Sequence, residues 1–257
     1  MKKISGVILT KNNEKTIREV ILSIKDLISE LIIVDDYSTD NTVKIIKKEY
    51  PKAKIVKRKL DSFSNQRNYG IELAKNSWVL MIDSDEVVSD KLREEIIKVM
   101  GNPRYEAYNC LLTSFILCKK FWTVKMDRPI LFKRKYRWTG IVHEKLVYPK
   151  KEEWGFLNGE AYHISWRGVE NLITKLNSRS TKDVEKWVNE RRDYGRIQIF
   201  LMATIMPIKM FIHWYIKMKG FKKGLAGFLY ALLSASIWIF KAIKYYERKY
   251  VCKSTNF

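Results

Sequence analysis

The chain has 257 residues, enough for one large domain or for one domain with an appendage. Hydrophobic residues make up 46% of it, which argues against disorder, and 49 Lys and Arg outnumber 28 Asp and Glu. This positive charge favours an anionic partner such as nucleic acid, an anionic membrane or a phosphorylated substrate. The three cysteines, Cys110, Cys118 and Cys252, form no C-x-x-C motif and argue against a disulfide framework, so we expect a reducing cytosol.

Strand-like and helix-like segments alternate over the first hundred residues. The predicted strands are rich in Ile and Val and almost uninterrupted in hydrophobicity: residues 4–9, 31–35, 54–57 and 78–83. Such runs are typical of strands that are covered on both faces. The apolar run at the start is shorter than the roughly 7–15 residues of a signal peptide's hydrophobic region, and we interpret it as the first strand.

Helices are predicted between these strands. An apolar stripe at three- and four-residue spacing predicts the first one: Ile17, Val20, Ile21, Ile24, Leu27 and Ile28. Further helices are predicted over residues 43–50, 65–75 and 89–100. Asn12 or Asn13 is expected to cap the first helix and Asp40 the second. The alternation predicts an α/β fold with an open, mostly parallel sheet and helices on both faces.

The sequence pattern changes twice beyond residue 100. Residues 101–167 contain short strand-like pieces and many aromatic residues, without a clear period. Residues 196–253 carry eleven Lys and Arg and one acidic residue, Glu247, among the uncharged runs 197–208 and 224–240. Trp and Tyr interleaved with lysines are typical of a membrane interface, so we expect basic amphipathic helices that associate with a membrane. A true membrane span and a buried hairpin of a soluble protein are the alternatives.

Two of the predicted strands end in acidic residues. Asp83 is the last residue of the fourth strand and Asp85 follows it, and Asp36 follows the second strand. Ligands of open α/β sheets bind beyond the carboxyl ends of the strands, although isolated aspartates there often cap helices. A divalent cation would relieve the repulsion between such carboxylates, and Mg²⁺ takes one or two of them together with phosphate oxygens. D-S-D therefore suggests a metal bridge to a diphosphate, with Arg67 as a candidate counter-charge.

The ordered motifs of the chain resemble those of a known enzyme family. TKNNE, IIVDDYSTDNT and QRNYGIELAKNSWVLMIDSDE look like segments of inverting family 2 glycosyltransferases with the GT-A fold. RPILFKRKYRWTGIVHEKL, YHISWRG and GFKKGLAGFLYALLSA further resemble the lipopolysaccharide core β-glucosyltransferases. The resemblance implies a Rossmann-like nucleotide-sugar-binding half in residues 1–100, an acceptor-side half in 101–195 and a membrane-associated helical region in 196–257.

The resemblance also implies roles for residues that bind the sugar donor. Asp36 would accept a hydrogen bond from the N–H of a uracil base, because a carboxylate is only an acceptor. Thr10 and Glu14 would frame the base and the ribose. Asp83 would contact the ribose or the metal.

Two further residues are implied as ligands of Mg²⁺ or Mn²⁺. Asp85 would be the principal ligand, and His163, in AYHIS, would complete the metal shell. A structural histidine is the alternative for His163. The cation and Arg67 would stabilise the negative charge on the departing nucleoside diphosphate.

Glu144, in TGIVHEKL, is the expected catalytic base. It would take the proton of the acceptor hydroxyl, and Trp138 nearby would stack on a sugar or partly desolvate the carboxylate. The motif of the family usually has an acidic pair where this chain has His-Glu. Asp127 and Glu86 are the alternative bases, and a surface ion pair is the alternative role for Glu144.

Together these features predict a metal-dependent glycosyltransferase that moves a hexose from a nucleotide-sugar, with UDP favoured, to a membrane-bound glycan such as lipopolysaccharide core. Glycosylation of polyprenyl phosphate is the alternative reaction. A basic nucleic-acid-binding protein is the alternative from another class, but it would leave the long apolar stretches unused. We expect no nucleic-acid partner and a location at the cytoplasmic face of the inner membrane, peripheral or monotopic on anionic lipid.

Overall fold

A computed structural model describes residues 3–116, 119–140, 145–147, 153–166 and 168–251. The chain forms two compact units. The larger one, an α/β unit, comprises Met1–Ser114 and Trp122–Ser165, and the smaller, mostly helical one comprises Phe115–Phe121 and Trp166–Phe257.

The parallel half of the sheet consists of the four strands predicted from the sequence. They are β1 (Ile4–Thr10), β2 (Glu30–Asp35), β3 (Lys54–Lys57) and β4 (Trp78–Asp83). Their order is β3-β2-β1-β4, and each is parallel to its neighbour. The helices of this half are α1 (Ile17–Ile24), α2 (Thr42–Glu49), α3 (Phe63–Leu73) and α4 (Asp90–Gly101). The predicted alternation is confirmed, and the carboxyl ends of all four strands lie at one edge.

Both faces of the parallel strands are covered. Ile33 packs in a hydrophobic cluster that includes residues of α1, α2 and α4. Its neighbour Ile32 packs in a second cluster that includes residues of α3. Because successive residues of a strand point to opposite faces, these clusters cover the two sides of the sheet, which explains the nearly uninterrupted hydrophobicity of the strands.

Antiparallel strands extend the sheet beyond β4. They are β5 (Glu86–Val88), β6 (Ala107–Ile116), β7 (Lys119–Lys125), β8 (Leu131–Lys133) and β11 (Gly155–Trp166), while β9 (Arg137–Thr139) and β10 (Lys145–Val147) form a separate antiparallel pair. From β4 the sheet continues through β8, β6 and β11 to β5, and β7 lies beside β6. Strand β8 is antiparallel to β4 and β6, and β5 to β11. This mixed sheet with flanking helices fits the GT-A fold.

The helix starts agree only in part with the predicted caps. Ser62 and Ser89 accept backbone N–H groups in the first turns of α3 and α4. The residue at the N-cap of α2 is Asn41 and not Asp40 as predicted, although Asp40 Oδ1 accepts the N–H of Thr42, the first residue of the helix. The predicted capping of α1 by Asn12 or Asn13 is wrong, because α1 begins at residue 17 and the Asn13 side chain accepts hydrogen bonds within the preceding loop.

The described part of the smaller unit contains four α-helices. They are α5 (Val169–Asn189), α6 (Arg196–Ile212), α7 (Leu225–Ala235) and α8 (Ile237–Tyr246). The π-helical turns His213–Lys217 and Glu247–Val251 continue α6 and α8, and a short 3-10 turn, Gly220–Lys223, precedes α7. Residues of α5, α6 and α8 share a small core: Val184, Trp187, Ile199, Ala242 and Tyr245.

Within the described residues, two helical stretches of this unit are long and apolar enough to cross a membrane. The first, Arg196–Lys217, joins α6 to its π-helical turn and has 22 residues, and the second, Leu225–Val251, runs through α7, α8 and the last π-helical turn and has 27. Core helices of soluble proteins can have the same length and composition. Here, however, only 6% of the most apolar segment of the first stretch is buried, and 44% of that of the second. Large apolar side chains, Ile197 and Leu225 among them, are therefore exposed.

Candidate functional site

The carboxyl ends of β1, β2 and β4 meet at one edge of the sheet. Thr10, at the end of β1, is paired with Asp35, and the preceding Leu9 is paired with Asp83. The parallel register thus brings the two acidic strand ends to either side of β1. Ligands of open α/β sheets bind at such an edge.

Both carboxylate oxygens of Asp36 have hydrogen-bond donors. Oδ2 accepts a hydrogen bond from Lys11 Nζ at 2.7 Å, and Oδ1 accepts one from the Leu60 N–H at 3.1 Å. The hydrogen bond from Lys11 holds the pKa of Asp36 below its ordinary value, so the carboxylate is ionised at neutral pH. Since each carboxylate oxygen accepts more than one hydrogen bond, Asp36 retains capacity for a further N–H donor.

The loop after β1 is tied to the acidic turn through Asn13. Its Oδ1 accepts hydrogen bonds from Thr10 Oγ1 at 3.1 Å and from Ser84 Oγ at 2.9 Å. Thr10 therefore lies at the site. The carboxylate of Glu14 instead accepts the Asn41 N–H at 3.0 Å, next to the start of α2. The contacts of Thr10 and Glu14 with a base and a ribose stay predictions.

Asp83 lies between two arginines. Its Oδ1 accepts a hydrogen bond from Arg67 Nη2 and its Oδ2 one from Arg128 Nη2, each at 3.1 Å. Burial opposes ionisation, but Arg128 and Arg67 outweigh it and hold the pKa of Asp83 below its ordinary value. The Arg67 guanidinium also lies 4.7 Å from the centre of a Trp138 ring. Arg67 is thus fixed beside the acidic turn, and its role as the counter-charge of a diphosphate stays a prediction.

Arg128 is a residue of this site that the sequence did not predict. It also donates a hydrogen bond to Glu86 Oε2 at 2.6 Å. Burial opposes its charge, yet Asp83 and Glu86 raise the pKa of Arg128 above its ordinary value. Its Nη1 is buried and has no hydrogen-bond partner among the residues that the structure describes. No local pattern indicates these ion pairs, because they join residues 42 and 45 positions apart.

The side chains of Asp85, just before β5, and of His163, on β11, lie close together where these two strands pair. In the antiparallel register of β5 and β11, Glu86 lies opposite His163, and the Ile164 N–H donates to the Asp85 carbonyl oxygen at 2.9 Å. The side-chain atoms Asp85 Oδ2 and His163 Nε2 are 3.3 Å apart. The fold thus brings together the two residues predicted to be metal ligands.

This pair fits one side of a metal coordination shell. Two ligands about 2.1 Å from a cation, in adjacent octahedral positions, are roughly 3 Å apart. Carboxylate oxygens suit Mg²⁺ and Mn²⁺, and imidazole binds divalent transition metals. No group of three or more His, Cys, Asp or Glu side chains able to hold a metal occurs within the described ranges. A cation held by Asp85 and His163 would therefore need water or substrate oxygens to complete its shell.

Glu144 lies outside the described residues, so its assignment as the base stays a prediction. The strand β9 that precedes it is anchored on α3, the helix that carries Arg67. The Trp138 N–H donates to Asn68 Oδ1 at 2.7 Å, and Ser64 Oγ donates to the Gly140 carbonyl oxygen at 2.6 Å. One helix therefore positions both the arginine and the beginning of the segment that leads to Glu144.

The two alternative bases have contrasting surroundings. Glu86 is only 3% exposed, and burial raises its pKa against the pull of Arg128. A carboxylate enclosed in this way and bonded to an arginine has no access to an acceptor hydroxyl. Asp127 is exposed on the loop before Arg128.

The family model and the similar sequences identify one family. The model of Glycosyl transferase family 2 matches residues 5–151. A glycosyltransferase of Rickettsia typhi is 30% identical, and the match covers 91% of this chain and 84% of the relative. The glycosyltransferase SunS of Bacillus subtilis is 31% identical over 70% of this chain and 43% of that protein. The crystal structure of S. aureus TarS 1–349 overlays with a TM-score of 0.43 and 14% identity, covering 98% of this chain and 91% of the other. The family match over more than half of the chain shows that this protein belongs to glycosyl transferase family 2.

Proposed function

We propose that this glycosyltransferase is metal-dependent and transfers a hexose, with inversion, from a UDP-sugar to a membrane-bound glycan such as lipopolysaccharide core. The observation that carries the proposal is the approach of Asp85 to His163 at the sheet edge that also holds two arginines. A diphosphate bound there would meet a metal cation and two guanidinium groups. The choice of lipopolysaccharide core is supported by the sequence motifs.

In this proposal Asp36 recognises the nucleotide base. Lys11 and the Leu60 N–H keep its carboxylate ionised and oriented, so it offers only acceptor lone pairs. The N3–H of uracil is a suitable donor to such a group. Thr10 and Glu14 would frame base and ribose.

Asp85 and His163 would hold the cation, Mg²⁺ or Mn²⁺, which supplies positive charge against the departing diphosphate. Asp83 would contact the ribose or the cation, and it fixes Arg67 and Arg128 beside the same position. The buried Nη1 of Arg128 is a donor that a phosphate oxygen would satisfy. Pre-positioned charges of this kind are usually the largest electrostatic contribution to catalysis.

Glu144 would act as the catalytic base. The acceptor hydroxyl gives its proton to the Glu144 carboxylate while its oxygen forms the new bond to the anomeric carbon. The bond from that carbon to the diphosphate oxygen breaks, and its electron pair leaves with the diphosphate. Attack from the face opposite the leaving group inverts the anomeric configuration.

We further propose that the enzyme works at the cytoplasmic face of the inner membrane, as a peripheral or monotopic protein. The exposed apolar side chains of the two long helices support this location, because such surfaces on amphipathic basic helices suit the lipid interface. Anionic lipid attracts each suitably placed Lys or Arg by about 1 kcal/mol.

The proposal is tested by supplying the purified protein with a panel of radiolabelled UDP-hexoses. Separate reactions contain lipopolysaccharide core or polyprenyl phosphate as acceptor, each with Mn²⁺ or with a chelator. We expect labelled core that forms only with the divalent cation. Labelled polyprenyl phosphate without labelled core would establish the alternative acceptor, and equal UDP binding with and without Mn²⁺ in calorimetry would contradict the metal assignment.

A further inference from the structure

Two groups of cations in the smaller unit differ in their surroundings, although the sequence does not distinguish them. Lys241 and Lys244 on α8, with Arg248 on the turn that continues it, are bonded to α5, and four lysines on the turn between α6 and α7 have no such partners in the described part of the chain. This division indicates which part of the basic region meets a partner.

The cations of α8 are satisfied within the unit. Lys241 Nζ is 2.6 Å from Asp183 Oδ2. Lys244 Nζ lies 2.7–2.8 Å from four oxygens of α5, more acceptors than its three N–H donors can use. Arg248 Nη2 is 3.2 Å from Glu185 Oε1. At spacings of three and four residues these cations share one face of α8 and of the turn that continues it, and their partners on α5 show that this face serves packing.

The lysine turn, residues 217–223, has the opposite character. Lys217, Lys219 and Lys222 are exposed, and Lys223 is half-buried. Within the described residues, no acidic side chain forms a salt bridge with any of these four lysines. Between residues 196 and 253 the sequence contains a single acidic residue, Glu247. Four positive charges therefore stand close together without compensation.

Glycines hold the lysine turn in a tight conformation. A Cβ on Gly227 would lie 1.9 Å from the Gly220 carbonyl oxygen, and a Cβ on Gly220 would lie 2.7 Å from the Trp214 carbonyl oxygen. Gly224 has a φ of 62°, in the region that favours glycine. The start of α7 thus packs against the backbone of the turn, so the lysines are carried by a fixed scaffold.

Exposed apolar side chains flank the lysine turn on both helices. Before the turn, three- and four-residue spacing puts seven of them on one helix face: Ile197, Phe200, Leu201, Ile205, Ile208, Ile212 and Ile216. After the turn, six more follow the same periodicity: Leu225, Phe228, Leu229, Leu232, Ile239 and Ile243. Apolar surface of this extent marks a site of interaction with another protein or a membrane.

We propose that the lysine turn binds the headgroup phosphates of anionic phospholipids and that the two apolar faces contact the acyl chains beside them. The inference rests on the membrane association in the proposed function, and it assigns that association to four lysines rather than to the basic region as a whole. A polynucleotide would use the lysines but would leave the apolar faces in water. An anionic bilayer satisfies both features.

The test compares two full-length variants that lose the same charge. One carries Lys→Gln at positions 217, 219, 222 and 223, and the control carries Lys→Gln at four exposed lysines of α2 and α4: Lys47, Lys48, Lys91 and Lys98. Co-sedimentation measures partitioning onto vesicles of phosphatidylcholine with and without phosphatidylglycerol. Each cation near an anionic surface raises the partition coefficient roughly fivefold. We therefore expect the partition coefficient of the turn variant on phosphatidylglycerol vesicles to fall more than about tenfold, and that of the control less than about threefold.

Unchanged thermal unfolding of the turn variant excludes misfolding as the cause, and Lys222→Glu serves as a milder variant with a severalfold expected loss. Wild-type partitioning in the turn variant would overturn the assignment to these lysines while leaving membrane association intact. Absence of wild-type binding to phosphatidylglycerol vesicles would overturn both. A turn variant that loses binding to a random oligonucleotide but keeps vesicle binding would reverse the choice of partner.

Discussion

The parallel sheet and the C-terminal helices contain the same types of apolar residue in different surroundings. Ile32 and Ile33 of β2 have no exposed surface, whereas Ile197 and Ile208 of α6 are 77% and 58% exposed. The positive charges of the two regions also differ in burial. The arginines at the sheet edge are largely buried against carboxylates, whereas most lysines of the lysine turn are exposed. Hydrophobicity alone therefore does not identify a core. In the sheet it stabilises the fold, and in the helices much of it lies at the surface.

The largest expected effect is on catalysis. Asp85→Asn removes the charge that would hold the cation, so we expect transfer to fall by about 10²–10³-fold, the scale of losing one electrostatic contact with the transition state. Initial rates across a Mn²⁺ titration measure it. Asp90→Asn, at an exposed carboxylate near the start of α4, is the control and should keep the wild-type rate. Equal rates in both variants would remove Asp85 from the site.

Arg128→Met tests whether buried charges at the sheet edge depend on their pairing. It leaves the carboxylates of Asp83 and Glu86 without their shared arginine, which we expect to lower the free energy of unfolding by about 3–5 kcal/mol. Arg93→Met, at an arginine paired only with exposed carboxylates, should cost less than about 1 kcal/mol. Urea denaturation of both variants makes the comparison, and similar losses would contradict it.

Two isoleucine truncations compare the regions directly. Ile33→Ala opens a cavity in the covered sheet and should lower the free energy of unfolding by about 2–5 kcal/mol. Ile205→Ala removes an exposed side chain of α6 and should change it by no more than about 0.5 kcal/mol. A large loss for Ile205→Ala in detergent-free solution would show that α6 is covered by protein instead of lipid.

Lys241→Met separates the inward cations from those of the lysine turn. Lys241 is buried against Asp183, so its loss should lower the free energy of unfolding by about 1–3 kcal/mol, whereas Lys219→Met should have an effect within about 0.5 kcal/mol. The double variant Lys241→Met with Asp183→Asn should lose less free energy of unfolding than the two single variants lose in sum. Additive losses would show that the two side chains do not interact.

The smallest expected effect concerns pH. Lys11 lowers the pKa of Asp36 in the folded state, so the pair contributes stability above the unfolded pKa of Asp36, and this stability is lost as the pH falls through the folded pKa. Lys11→Met should therefore cost less than about 1 kcal/mol at neutral pH, and less at an acidic pH where folded Asp36 is partly protonated. Urea denaturation at both pH values measures the difference. An equal cost at both would exclude an ionic contribution.

The sequence predicts the parallel half of the sheet well because that half is covered on both faces. Residues 31–35 and 78–83 are apolar at almost every position, and parallel strands necessarily bring their acidic ends to one edge. The antiparallel strands are covered unevenly; most residues of β7, for example, are exposed. Such strands show no hydrophobic period, so the order β4-β8-β6-β11-β5 was not predicted.

The residues of the candidate site also differ in whether the sequence predicts them. Asp83, Asp85 and Arg67 follow from strand ends and motifs, whereas Arg128 depends on ion pairs between distant segments. The spacing of Lys241, Lys244 and Arg248 shows that these cations share a helix face. The spacing does not show that this face packs on α5, because that contact joins segments far apart in the sequence.

The pairing of β5 with β11 has a consequence for biosynthesis. Asp85 is translated well before His163, and the two meet only once β11 has been added beside β5. A nascent chain that ends before β11 has the D-S-D motif but lacks the imidazole opposite it. The ribosome must therefore complete nearly the whole α/β unit before this pair of side chains can form.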